Sequence, residues 1–336
     1  MLRFFTLCVR DDGRTHPRVH LSRRIDAYHE AMSRRLVAAV FCVVVVALSG
    51  CATGTHTNAL PSARPASHRP LVAPATLTKV LVVMEENHSL ADMSAGMPYT
   101  FGLAREFGYA THYSAVRHPS LPNYIAMTGG QTYGITDDDA PAVHPIGGES
   151  VFGQAIASGR TAAVYAEGMR SNCATSSGDA DYAVKHNPWV YFTAERSKCQ
   201  QFDVPIERLS AAIAHGALPN VGMVIPNLCN DAHNCALGVA DAWFRSWMTK
   251  IFDGPDWKSG HLAVVITADE DENQSGNVVL TVVIHPSQKA HVVTSALTHY
   301  SLTRLYEDAI GVPHLFNAAT APSMTDAFDL PLAGKP

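Results

Sequence analysis

Carboxylates, imidazoles and one serine recur in this chain where apolar runs end. Val80–Met84 leads into Glu85-Glu86-Asn87-His88, Val221–Ile225 into Pro226-Asn227 and Asn230-Asp231-Ala232-His233, and Leu262–Thr267 into Asp269-Glu270-Asp271-Glu272. A single acidic cluster after a strand is an ordinary solvated turn. Three of them converging on one rim would repel one another, and a divalent cation, or two, is the natural compensation. Asp269 and Glu270, the first to leave their strand, are the expected ligands of the third cluster. A further stretch reads Arg117-His118-Pro119-Ser120-Leu121-Pro122-Asn123-Tyr124 and runs on to Gly129-Gly130. Pro122 suits a first helical position and the glycines suit a helix end. Ser120 would then lie at a helix mouth, where free N–H groups and the dipole favour an anion. A hydroxyl there, beside a cation, is a candidate nucleophile; the plainer reading is a helix cap.

The elements that must hold these groups are set by the same runs. Val80–Met84, Ala162–Tyr165, Val221–Ile225, Leu262–Thr267 and Val278–Ile284 are short and continuously apolar, as strands of a parallel sheet covered on both faces are. Helical patterns at Tyr99–Phe107, Val151–Ala157, Val239–Ile251 and Leu297–Ile310 alternate with them. The expected fold is one α/β domain over 78–336, a three-layer α/β/α sandwich with a mostly parallel sheet. Its ligand crevice would lie at the carboxyl ends of the strands. The weakly patterned segment 168–205 is expected to leave the sheet, pinned by Cys173 and Cys199.

Ahead of that domain the sequence reads as an export signal. Arg34-Arg35 precede an uncharged apolar run from Leu36 to Leu48, which ends in Ser49-Gly50-Cys51. This is a leader over 1–50 whose site resembles a bacterial lipobox, making Cys51 the expected lipidated residue; 51–77 reads as a flexible tether. The expected location is therefore the extracytoplasmic side of the cell membrane, lipid-anchored, or secreted. Four cysteines remain past Cys51, namely Cys173, Cys199, Cys229 and Cys235, and an even number in an exported chain favours disulfides. The local pairings 173–199 and 229–235 are preferred. A zinc site from Cys229, His233 and Cys235 competes, although its spacing matches no common zinc motif.

Composition excludes other classes. The chain has 336 residues, 47% hydrophobic and 16% charged, enough for a large core. Lys and Arg number 25 against 30 Asp and Glu, and the first 35 residues hold eight of the basic ones. The exported part is acidic, which excludes nucleic acid as a partner.

Six ordered blocks carry a resemblance: Glu85-Glu86-Asn87-His88-Ser89, His118 to Tyr124, Lys185-His186-Asn187-Pro188-Trp189, Pro226-Asn227 through His233, Asp269-Glu270-Asp271 and His299-Tyr300-Ser301. Together, over residues 78–315, they resemble the bacterial phosphoesterase family of secreted acid phosphatases and phospholipases C. The short phosphatidylinositol 3-phosphatase type is the nearest in kind. The resemblance implies an alkaline-phosphatase-like core and a phosphate ester substrate; a tethered location suits phospholipids, although tethering alone does not select them. Ser120 would be the nucleophile, passing through a phosphoserine, with His118 and His233 as further catalytic residues. Asn87, Asn123, Lys185 and His186 would bind substrate. Glu86, Asn87, Asp231, Asp269, Glu270 and His299 would hold one or two divalent ions. The chain departs from the family pattern at His88, where an arginine is usual, at Ala268 for a tryptophan and at Asn234 for an aspartate. The rival readings are a phospholipase C-type diesterase, a nonenzymatic lipoprotein that binds phosphate or metal, and a sulfatase. The last needs an arginine where Tyr124 stands.

Overall fold

A computed structural model describes residues 72–178 and 181–333 of the chain. The leader, Cys51 and the tether up to residue 71 lie outside the described residues. The strands are β1 (Lys79–Glu85), β2 (Gly108–Ala110), β3 (Tyr113–Ser114), β4 (Ala162–Ala166), β5 (Asp203–Pro205), β6 (Val221–Ile225), β7 (Leu262–Ala268), β8 (Thr281–Ile284), β9 (His291–Val293) and β10 (Leu297–Thr298). The helices are α1 (Leu90–Gly96), α2 (Pro98–Glu106), α3 (Ser120–Gly129), α4 (Val151–Ala157), α5 (Arg196–Phe202), α6 (Glu207–Ala214), α7 (Leu237–Asp253), α8 (Pro255–Lys258), α9 (His299–Ile310) and α10 (Met324–Ala327).

Eight strands form one sheet in the order β5-β4-β6-β1-β7-β8-β2-β9, and β10 pairs with β3 beside it. From β5 to β7 every pairing is parallel. All residues of β6 and β7 and all but the first of β1 are buried, so these strands are covered on both faces. Helices α3, α4, α9 and α10 pack together in one layer, and α1, α2, α6, α7 and α8 in the other. This is the expected three-layer α/β/α sandwich.

Three departures have physical causes. The run at 278–284 yields β8, which is antiparallel to β7. A parallel return needs a crossover, usually a helix. The link from Asp269 to Leu280 is instead a polar loop wound on Asp271, which accepts from the N–H groups of Asn273, Ser275 and Asn277 at 2.7, 2.7 and 2.8 Å. Leu297 and Thr298 form β10, and the helix begins at His299, with Thr298 and Ser301 completing a capping box. The 168–205 excursion returns to the sheet as edge strand β5 beside β4. Both preferred disulfides, Cys173–Cys199 and Cys229–Cys235, are present, so the two sulfurs of the rival zinc set are joined to each other.

Candidate active site

The ends of β1, β6 and β7 are laced together by backbone bonds: Glu86 N–H donates to the Asp231 carbonyl at 2.8 Å, and Asp269 N–H to the Glu85 carbonyl at 3.0 Å. Past each strand the chain turns sharply. Asn87 (φ 56°) and Ala232 (φ 70°) occupy the left-handed region, which asparagine enters more readily than alanine. These turns leave Glu86, Asp231 and Asp269 side by side, each buried. Asp269 Oδ1 accepts from Asn87 N–H at 3.1 Å and Glu270 N–H at 2.7 Å, which fixes its orientation.

Helix α3 delivers the serine. It starts at Ser120 itself, with Pro119 as the cap and Pro122 as its third residue, two positions later than expected. Gly130 (φ 69°) ends it, and a Cβ there would come 2.4 Å from the Leu315 carbonyl oxygen. Ser120 Oγ donates to Glu86 Oε2 at 3.1 Å, and Lys185 Nζ lies 3.5 Å from the same Oγ. One turn on, Tyr124 donates its hydroxyl hydrogen to Glu86 Oε1. Asn123 reaches Glu270 Oε2 at 3.1 Å while its carbonyl oxygen holds the N–H groups of Val116 and Arg117.

His186 is wholly buried, stacked on Tyr124, with Nε2 3.3 Å from Glu86 Oε1 and Nδ1 3.4 Å from Asp231 Oδ2. His233 is exposed; its N–H donates to Asp231 Oδ1 at 2.8 Å and its Nδ1 lies 2.8 Å from Asn234 Oδ1. An amide oxygen only accepts, so Nδ1 carries a hydrogen. Each of Glu86, His186 and His233 offers an atom within 4.8 Å of the others.

Burial makes this cluster electrostatically costly. Desolvation, then Asp269 and Asp231, raises the Glu86 carboxyl well above its usual range. Desolvation also raises Asp269, with His186, the Asn87 amide and the nearby Ser120 drawing it back. It lifts Asp231 to about 7 and, aided by Asp269, Glu270 to about 9. His186 is pushed down to about 3 by burial and then by Lys185. Burial would lower Lys185 as well, but Asp138, Glu86 and Asp269 together hold its ammonium above the ordinary value. His186 Nε2, Asp231 Oδ2 and Asp269 Oδ2 are buried with no hydrogen-bond partner. Unpaired oxygens and an imidazole nitrogen, in an excess of negative charge, fit a divalent cation.

The other expected residues take supporting positions. His299 has both ring nitrogens engaged, Nε2 2.6 Å from the Asp269 carbonyl oxygen and Nδ1 3.1 Å from the Tyr113 hydroxyl. It therefore props the end of β7 from behind. His118 lies between Glu270 (3.0 Å) and Asp271 (3.1 Å). Asn87 reaches Glu86 Oε2 through its side chain at 3.3 Å. His88 turns toward Asp92, 3.9 Å away. Tyr124, Tyr113, Asp138 and Asp271 are site residues that the sequence pattern does not single out. Tyr124, four residues after Ser120 on one helix face, and Asp271, inside the acidic run after β7, carry a visible signal; Tyr113 and Asp138 carry none.

A family model described as the phosphoesterase family matches residues 93–313. The chain belongs to the phosphoesterase family. It is a hydrolase acting on phosphoric ester bonds, and its relatives agree in kind. A phosphatidylinositol-3-phosphatase of Mycobacterium tuberculosis is 30% identical over 258 residues, which cover 75% of this chain and 83% of the relative. A probable acid phosphatase of Kluyveromyces lactis is 26% identical over 257 residues, covering 72% of this chain and 60% of the relative. Among solved structures, a protein in the alkaline phosphatase superfamily from Vibrio parahaemolyticus matches with a TM-score of 0.54 at 12% identity, over 76% of this chain and 72% of that one. The lipoteichoic acid synthase LtaP from Listeria monocytogenes gives 0.52 at 8% identity, over 73% and 76%. At such identities these two establish the fold alone.

Proposed function

We propose that this phosphoesterase hydrolyses phosphomonoesters, with Ser120 as the attacking group and a phosphoinositide as the favoured substrate class. One observation carries the reading: Ser120 Oγ, at the first turn of α3, donates to Glu86 Oε2 at 3.1 Å with Lys185 Nζ 3.5 Å away. A hydroxyl between a buried carboxylate and an ammonium is arranged to lose its proton as it attacks, and the ammonium faces the charge that develops. Phosphorus would be transferred to Oγ, the alkoxide would leave, and water would then release phosphate from the phosphoserine.

Glu86, Asp231, Asp269, His186 and His233 would hold a divalent cation. When bound, such an ion supplies Lewis acidity at the phosphoryl oxygens and lowers the pKa of the attacking group. The protein's own groups set the rest. Asn87 places its amide beside Glu86 to meet a phosphoryl oxygen. His118, held by Glu270 and Asp271, is the group able to protonate the leaving oxygen and then take a proton from water. Asn123 fixes Glu270, and His299 fixes the Asp269 backbone.

The substrate class rests on the Mycobacterium tuberculosis relative and on the leader that precedes Cys51, whose lipidation would tether the domain near phospholipid. The two disulfides agree with an oxidising compartment. Among the described residues no helix is long and apolar enough to cross a membrane. Phosphate release from di-C8 phosphatidylinositol 3-phosphate and from p-nitrophenyl phosphate, against bis-p-nitrophenyl phosphate as diester control, tests the proposal. Preference for the diester would reverse it.

A further inference from the structure

Next to Ser120 lies a carboxylate that the catalytic scheme does not use. Asp138 Oδ1 accepts from the Leu121 N–H at 2.9 Å, and its Oδ2 accepts from Lys185 Nζ at 2.8 Å. The same Nζ is 3.5 Å from Ser120 Oγ. One side chain therefore ties the first turn of α3 to the ammonium beside the serine it displays. Its neighbours turn elsewhere: Asp137 accepts from the Asp139 N–H at 3.0 Å and pairs with His144.

The two segments involved are also joined to each other. Tyr191 donates its hydroxyl to the Asp139 carbonyl at 3.1 Å, Ile146 N–H donates to the Tyr191 carbonyl at 2.8 Å, and Thr193 N–H to the Ile146 carbonyl at 2.9 Å. The loop with Asp138 thus rides on the segment beyond Lys185. Lys185 has other acidic neighbours, Glu86 and Asp269, whose charges it also feels. Released from Asp138, a flexible ammonium would settle on that buried pair, in the space a cation needs.

We propose that Asp138 is a positioning residue: it holds the Lys185 ammonium beside Ser120 and off the Glu86–Asp269 pair. The inference rests on Ser120 being the attacking hydroxyl. A competing role is set by the same contacts, because a carboxylate seated on an N–H and an ammonium could instead occupy the place of a substrate phosphate. The two differ in sign. A positioner, when removed, lowers kcat; an occupant, when removed, tightens substrate and phosphate.

A double-mutant cycle on the full-length chain decides between them. Asp138→Asn keeps an acceptor for the Leu121 N–H and removes only the charge. It is expected to lower kcat about tenfold or more with KM changed by less than about threefold. Lys185→Met is expected to lower kcat as well, and the double variant to be no slower than Lys185→Met alone, since Asp138 acts through that ammonium. Multiplying effects would reduce Asp138 to a helix cap and overturn the inference, as would an unchanged kcat, or a fall in KM and in the inhibition constant of inorganic phosphate. Should Asp138→Asn fail to fold, Asp138→Glu serves: it keeps the charge, and any kcat deficit must vanish on the Lys185→Met background. Wild-type turnover and its loss in Ser120→Ala are measured alongside. If those fail, the phosphomonoesterase reading fails; if they hold while the cycle is additive, only the role of Asp138 is lost.

Discussion

Ser120 Oγ lies 3.1 Å from Glu86 Oε2, a contact that joins the first turn of α3 to the end of β1 across 34 positions of sequence. Replacing Ser120 by alanine removes one buried oxygen and leaves the helix start intact, because Pro119 is the cap. Turnover of p-nitrophenyl phosphate should fall by about three orders of magnitude or more, with the circular dichroism spectrum and melting temperature nearly unchanged. An active, folded Ser120→Ala protein would remove the serine from the reaction.

Glu86, Asp231 and Asp269 are buried with few neutralising partners, so a bound cation should stabilise the fold as well as serve the chemistry. Dialysis against a chelator is expected to lower the melting temperature by several degrees and to abolish phosphate release. Adding back a divalent ion should restore both, and Glu86→Gln should lower the bound metal measured by elemental analysis. Chelated protein free of metal that melts and turns over as before would exclude the cation.

Chemistry at strand ends is the legible part of this site. Glu86 and Asp269 stand out because an acidic residue directly after a buried apolar run must lie at the sheet rim. Anything set by the approach of distant segments cannot be read this way. His299 is recognisable as a site histidine, but its role depends on the Tyr113 hydroxyl, 186 positions away, and on the Asp269 carbonyl. In sequence Asp138 is one of three adjacent aspartates with nothing to distinguish it; only the fold brings Lys185 to it. The apolar runs locate β1, β4, β6 and β7, but an apolar run has no direction. The antiparallel course of β8 is set by the polar loop wound on Asp271. Strands β2, β3, β5, β9 and β10 are two or three residues long, too short for any periodicity to show.

His299 offers a test of support separate from ligation. Its Nε2 meets a main-chain carbonyl, so the ring donates there. His299→Ala would leave that buried carbonyl unpaired and should destabilise the fold by about 1–3 kcal/mol, more if the cavity does not collapse. His299→Gln, which can still donate, should recover part of this loss. A His299→Ala protein of unchanged stability that loses its metal would instead make His299 a ligand.

The two disulfides should separate stability from metal binding. Cys173–Cys199 closes a separation of 26 residues, and Cys229–Cys235 one of 6 that encloses Asp231 and His233. Loop entropy gives the longer bridge roughly 3.5 kcal/mol and the shorter about 2.2 kcal/mol. Paired Cys→Ser variants should therefore differ in opposite senses. Loss of 173–199 should cost more in denaturant midpoint, and loss of 229–235 more in cation affinity by calorimetry. Equal loss of affinity in both would deny the short bridge its role in shaping the loop.

Asp203 gives a pH signature away from the reacting groups. Its buried carboxyl accepts from Asn187 Nδ2 at 2.9 and 3.1 Å, and desolvation, partly countered by Asn187 and Arg196, pushes its pKa up to about 8. In the unfolded chain an aspartate titrates near 3.9, so between about pH 4 and 8 the folded state keeps a proton that the unfolded state has released. The native state binds more protons there, and stability falls as pH rises, by at most about 1.4 kcal/mol per pH unit from this residue. Asp203→Asn cannot titrate. Whatever constant offset the amide introduces, the melting temperature of the variant should gain on that of the wild type from pH 5 to pH 7. Parallel curves over that range would mean that Asp203 is ionised in the folded protein, with Arg196 as its counter-charge.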